Sequence, residues 1–174
     1  LAALEQELRA RAVAIIEGAV ARGRCDFLVD VAAELPLQAV ARLLGIPQED
    51  RHGLFAWANA TLDYEGRDLG ESDARTQAAQ AAMFEYGTRL VAEKRRSPGD
   101  DMLSAVVHGT ITDADGTSGP PTDLEVLMFF NLLIAAGSET TRNSIAGGAL
   151  AFAEHPEQWR ALQADRSLLP SAVE

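Results

Sequence analysis

Hydrophobic positions recur at helical spacing along most of the chain, and glycine, proline and short polar runs divide them into segments. Leu1, Leu4, Leu8, Ile15, Ile16 and Val20 predict a first helix over residues 1–22, ended by Gly23. Asp26 is placed to cap a second helical stretch running to Leu44, with Pro36 marking a kink or restart inside it and Gly45 stopping it. Pro47 suits the first position of a third helix that reaches about Thr61. Tyr64 to Asp73 is polar and glycine-containing and reads as a loop. Ala74 to Arg96 is alanine-rich and helical, and its closing run Lys94-Arg95-Arg96 complements the negative end of the helix dipole. A turn at Ser97-Pro98-Gly99, a short helix near Asp101–His108 and a long surface loop from Gly109 to Pro121 follow.

Thr122 and Glu125 then form a capping-box pattern. Helical character continues to Glu154, about 32 residues or roughly 48 Å at about 1.5 Å per residue. The first half, Val126-Leu127-Met128-Phe129-Phe130, is apolar on every side, as in a helix buried among others. His155-Pro156 ends it and opens another helix to Leu162, and Ser171-Ala172-Val173-Glu174 reads as one more helix just begun after Pro170. No repeat and no strand stands out. The pattern predicts an all-α segment built around one long buried helix, about 122–154.

At 174 residues the chain can bury one sizeable core, and one domain over 1–174 is expected. A pattern already under way at Leu1 and a helix barely begun at Glu174 read as a piece of a larger protein, cut at both ends. The formal charge of -11, from 26 acidic and 15 basic residues, repels phosphates and argues against a nucleic-acid partner. A single cysteine, Cys25, excludes an internal disulfide framework and a Cys-rich zinc site. The longest apolar run, Val126 to Gly137, is broken by Asn131 and is too short to span a bilayer. No membrane anchor is read in this segment, and the expectation is a soluble, cytoplasmic protein.

The chemistry concentrates in Ala136-Gly137-Ser138-Glu139-Thr140-Thr141, at the most buried-looking point of the sequence. An unpaired buried polar group costs about 1–3 kcal/mol, so an acid beside a hydroxyl at such a point calls for a use. Leu132, Ala136 and Thr140 lie at i, i+4 and i+8 and share one helix face, which runs from large to small to hydroxyl. Ala136, backed by Gly137, would let a flat ligand approach the backbone. The Thr140 hydroxyl could bond back to the Ala136 carbonyl or turn toward a ligand, and Glu139 could relay protons to that pocket. The plainer alternative is a helix that breaks at Gly137 and restarts with Ser138 as its cap.

This hexad resembles the oxygen-activation motif in the long central helix of the cytochrome P450 family, the haem-thiolate monooxygenases. The continuation Arg142-Asn143-Ser144-Ile145, then Phe152-Ala153-Glu154-His155-Pro156-Glu157-Gln158-Trp159, is similar to the end of that helix and its successor. Upstream, Glu34-Leu35-Pro36-Leu37-Gln38, Leu43-Leu44-Gly45-Ile46-Pro47 and Pro98-Gly99-Asp100-Asp101 resemble segments of bacterial members. The resemblance covers essentially the whole chain and less than half of a complete member. It implies that Thr140 is the threonine whose hydroxyl assists oxygen scission and that Glu139 is the acid feeding protons to it. It also implies that Ala136 and Gly137 are the small pair over the haem and that Leu132 lines the substrate pocket. The implied cofactor is haem, whose ligand cysteine would lie outside this chain; no metal ligand is expected within it. The implied partners are O₂, a hydrophobic substrate and a ferredoxin or flavoprotein electron donor. Helices over residues 47–96 would form a lid, with loop 62–73 touching substrate. The run Gly-Ser-Glu-Thr-Thr-Arg-Asn-Ser looks most like actinobacterial members that oxidise sterol side chains or methyl-branched lipids.

The family's haem-cysteine loop and its Glu-x-x-Arg pair have no counterpart in these residues, and Glu174 falls where the residue before that glutamate would stand. The segment alone is therefore expected to be inactive. Cys25 is expected to be an ordinary, partly buried thiol. Asp113-Ala114-Asp115-Gly116 hints at a calcium loop, but Leu124 stands where the closing Glu belongs. His52, His108 and His155 show no metal-ligand spacing, and Phe55 and Trp57 suit either a core or a substrate channel. The competing classes are a non-enzymatic all-α interaction module, or inactive remnant, and a peroxide-using relative with less need of the acid–alcohol pair.

Overall fold

The structure, a computed structural model, describes residues 2–62, 73–112 and 114–173. Eight α-helices account for most of them: α1 (Ala2–Arg22), α2 (Glu34–Leu44), α3 (Arg51–Leu62), α4 (Ala74–Arg96), α5 (Met102–Val107), α6 (Asp123–Glu154), α7 (Pro156–Ala164) and α8 (Leu169–Val173). The helical portion of the fold agrees with the all-α expectation. One exception is a two-residue hairpin, β1 (Ile111–Thr112) with antiparallel β2 (Ser118–Gly119), inside the stretch expected to be plain loop. Gly116, at φ 85°, supplies the left-handed residue that lets the chain turn back. Loop residues 63–72, Asp113 of the calcium-like run, Leu1 and Glu174 lie outside the described residues.

Helix ends follow local chemistry. The Thr122 hydroxyl accepts from the Glu125 amide while the Glu125 carboxylate accepts from the Thr122 amide at 2.7 Å, so the capping box starts α6. Asp73 accepts from the Thr76 amide and starts α4. The second stretch is not one helix. Asp26 accepts from the Val29 amide, but a wide π-type turn at Leu28–Ala32 comes first, and α2 follows from Glu34. Pro36 sits in the first turn of α2, where an N–H has no intrahelical partner to lose. Pro47 likewise stands just outside a helix, ahead of the tight turn Gln48–Asp50 that leads into α3.

The core lies where α6 crosses α2, α3 and α4, with α5 closing one end. Its most enclosed side chains are Phe130, Leu44, Leu103, Ile134, Val107 and Val126. Tyr86 bridges two layers: its ring lies 6.3 Å from Phe130, and its hydroxyl donates to Asp50 at 2.7 Å. Burial and that neighbouring carboxylate push the phenol well above its usual range. A second lock joins the C-terminal end of α4 to α5, where Lys94 Nζ donates to Asp101 Oδ2 at 2.8 Å, their side chains 10% and 4% exposed. Gly45, at φ 64°, ends α2 against this pair, and a Cβ there would collide with both Lys94 Nζ and the Asp101 carboxylate.

Helix α6 is buried on one face rather than all round. Val126, Phe130, Ile134 and Ser138 form the buried row. Leu124, Met128 and Leu132, each two residues and about 200° away, are half or more exposed. By length and composition alone α6, which extends well beyond the run Val126 to Gly137, is among the described residues the one helix that could cross a bilayer, with an 18-residue stretch at a mean hydropathy of 1.2. Its inner row nonetheless packs against α2, α3 and α4.

Candidate functional site

The middle of α6 is continuous helix, so the alternative of a break at Gly137 is not adopted. Thr140 Oγ1 donates to the Ala136 carbonyl at 2.8 Å, and one turn on Ser144 Oγ donates to the Thr140 carbonyl at 2.9 Å. Two hydroxyls one turn apart therefore fold back onto the helix that carries them. Leu132, Ala136 and Thr140 form one exposed row, with Leu132 63% exposed. The hexad is thus not the most buried point of the chain; only Ser138, 3% exposed, is enclosed, with its hydroxyl lacking a protein partner.

Gly137 turns toward α2. A Cβ there would stand 2.7 Å from Val40 Cγ2, closer than carbon atoms pack at about 3.5–4.0 Å. The small residue is required for the approach of α2 to α6, whatever else lies near it.

Glu139, 40% exposed at its side chain, faces Arg142, with Nη2 to Oε1 at 3.9 Å. Arg142 is only 15% exposed and is held from α3: Nη1 donates to Asn59 Oδ1 at 3.3 Å, and the guanidinium carbon lies 5.2 Å above the Phe55 ring. Sequence spacing offered the Glu139–Arg142 pair, since i and i+3 are helix neighbours. It offered no signal for Asn59, 83 residues earlier. Phe55 serves this arginine, whereas Trp57 packs on the core beside Tyr86 at 6.1 Å.

Beyond Thr140 the exposed side of α6 continues into an open apolar groove of about 720 Å³, lined by Ile145, Phe152, Trp159, Val173 and Phe27. Thr141 and Ser144 give it a polar edge next to the hexad.

Cys25 is exposed, contrary to the expected partial burial, because Gly23 to Val29 runs over the surface between α1 and α2. No group of three ligating side chains converges among the described residues. His52 faces Glu34 at 3.2 Å, His155 faces Glu157 at 3.6 Å, and His108 Nε2 bonds the Lys94 carbonyl at 3.0 Å. Asp115 accepts from the Thr117 amide, and the Thr117 amide and hydroxyl hold its carboxyl below the usual range.

No family model matches the chain. Cytochrome P450 126 of Mycobacterium tuberculosis is 44% identical to it over 172 residues, 98% of this chain and 41% of the relative. A steroid C26-monooxygenase of Rhodococcus jostii is 40% identical over 164 residues, 94% of this chain and 33% of the relative. The crystal structure of the LnmA cytochrome P450 hydroxylase of Streptomyces atroolivaceus superimposes with a TM-score of 0.85 at 26% identity, over 97% of this chain and 42% of its own. The chain thus spans about two fifths or less of the relatives it matches. Sequence and fold agree along nearly all of its length, and the chain belongs to the cytochrome P450 family, of whose helical portion it is a part.

Proposed function

We propose that the complete protein is a haem-thiolate monooxygenase and that this chain supplies the wall over the oxygen site. The observation that carries the reading is the exposed row Leu132, Ala136, Thr140 on a helix whose inner row Val126, Phe130, Ile134 and Ser138 is buried, with a carboxylate beside its hydroxyl. The residues fit haem as such a wall: Ala136 presents only a methyl group, so a flat macrocycle can lie against the helix there. They do not include its thiolate, which the reading assigns to a cysteine outside this chain. When bound, haem supplies the oxygen binding and oxidising power that insertion into a C–H bond needs.

The chain's own groups then divide the remaining work. Leu132 gives the substrate an apolar surface. The Thr140 hydroxyl, which now donates to Ala136 O, reaches an outward acceptor by rotation about χ1, and threonine in a helix divides between two such rotamers. Glu139 is open enough to take protons from solvent and adjoins Thr140, so carboxylate and hydroxyl can pass protons into a site from which bulk water is excluded.

The reading carries three further assignments. Electrons come from a ferredoxin or flavoprotein in the cytoplasm. Helices α3 and α4 form a lid. The substrate is a sterol side chain or methyl-branched lipid, in keeping with the 40% identity to a protein named steroid C26-monooxygenase. The test is the carbon monoxide difference spectrum of the reduced complete protein, followed by optical titration with cholesterol-type and branched lipids. A red-shifted thiolate band supports the enzyme, and its absence leaves a helical interaction module. A thiolate band without any lipid-induced shift removes only the substrate assignment.

A further inference from the structure

The guanidinium of Arg142 uses each nitrogen differently. Nε donates to Asn143 Oδ1 at 3.2 Å, Nη1 donates to Asn59 Oδ1 at 3.3 Å, and Nη2 faces Glu139 Oε1 at 3.9 Å. Its guanidinium carbon lies over the Phe55 ring, 5.2 Å from the ring centre. Such a planar fork, nearly enclosed and fixed from a second helix, has little freedom left, whereas the glutamate it faces is open to solvent on its other side. A cation whose position is set by α3 therefore sets the position of a carboxylate on α6.

We infer that Arg142 is the positioning residue for Glu139: anchored on Phe55 and Asn59, it holds the carboxylate on the α3 side of α6, next to Thr140. The inference rests on the reading of Glu139 and Thr140 as the proton-delivering pair. It accounts for an arginine buried at an i+3 position where an exposed lysine would satisfy a surface ion pair equally well. Lysine cannot replace it fully, because a single ammonium cannot reach Glu139, Asn59 and Asn143 together while lying over Phe55.

The experiment uses the complete, haem-loaded protein with Arg142→Gln, Arg142→Lys, Asn59→Ala, Glu139→Gln and the Arg142→Gln/Glu139→Gln double variant. Arg142→Gln is expected to keep the thiolate spectrum and substrate affinity, to lose about tenfold in kcat, and to send more of the consumed oxygen to hydrogen peroxide. Arg142→Lys should recover part of that loss and Asn59→Ala should show a milder form of it. The double variant should be no worse than Glu139→Gln, because both changes strike one unit. A readout apart from turnover is the crystal structure of Arg142→Gln, in which the Glu139 carboxylate should leave the α3 side.

Unchanged coupling in Arg142→Gln, losses that multiply in the double variant, or a Glu139 that stays in place would each overturn the inference. If Glu139→Gln itself leaves coupling intact, the reading of the acid–alcohol pair fails and takes the inference with it. Harm from Glu139→Gln without harm from Arg142→Gln refutes the role of Arg142 alone.

Discussion

Replacing Gly137 by alanine separates two reasons for a small residue at that position. The resemblance assigns the smallness to the haem, but the backbone directs the missing side chain at Val40, and the new methyl would stand 2.7 Å from Val40 Cγ2. That is roughly 1 Å too close for two carbons. Val40 is β-branched and held in one χ1 well in a helix, so it cannot rotate aside cheaply. Overpacking of this kind costs about 1–3 kcal/mol. Replacing glycine in a helix interior returns about 1 kcal/mol of propensity, which leaves a net destabilisation of roughly 1 kcal/mol. Val40→Ala alone removes two partly buried methyl groups and costs about 1 kcal/mol. In the double variant the added methyl fills the space that valine left. Its stability should match or exceed that of Val40→Ala, a coupling of about 1–2 kcal/mol. The assay is urea unfolding of the complete protein by circular dichroism, with the haem spectrum recorded alongside. Gly137→Ala no less stable than the parent, or equally harmful in the Val40→Ala background, would refute the packing argument. A haem defect that persists after Val40→Ala has restored stability would return the glycine to the cofactor.

Thr140→Ala in the complete protein should keep haem and substrate binding and divert reducing equivalents to peroxide, and unchanged coupling would remove the role given to the hydroxyl. Phe130→Ala should destabilise by about 3–5 kcal/mol, because Phe130 is fully enclosed and stacked against Tyr86; calorimetry reads the loss. Burial tends to raise the Asp101 carboxyl, but hydrogen bonds from Lys94 and from the Ser104 amide and hydroxyl outweigh it and hold the carboxyl below its ordinary value. That stabilisation is present above the unfolded value, about 4, and is lost as pH falls through the lower folded value. Lys94→Met should accordingly cost about 3–5 kcal/mol at neutral pH and progressively less in acid, measured as unfolding free energy against pH.

Where a signal was local, the sequence carried it accurately. Asp73 before Ala74 and Thr122 before Glu125 mark the starts of α4 and α6 because a cap is written into three or four adjacent residues. The hairpin at 111–119 escaped notice because two residues per strand are too few to show alternation. The outer face of α6 escaped for the opposite reason. Leu124, Met128 and Leu132 are as apolar as the inner row, so composition could not say which side is covered. The candidate hydroxyl and carboxylate were legible as a motif. What anchors the arginine facing that carboxylate was not, because Asn59 reaches Arg142 from 83 residues away, and only folding brings them together.

The Lys94–Asp101 lock also determines how the α3–α4 pair can move. It fastens α4 close to its C-terminal end, while the N-terminal end at Ala74 lies some twenty residues, roughly 30 Å, up the helix axis. A rod pinned at one end works as a lever. Each degree of rotation about Lys94 carries Ala74 through roughly 0.5 Å while the pinned end stays still. Met83, Gly87 and Leu90, which seat the middle of α4 in the core, lie between the two ends, so any such swing has to repack them and grows from the pinned base toward Ala74.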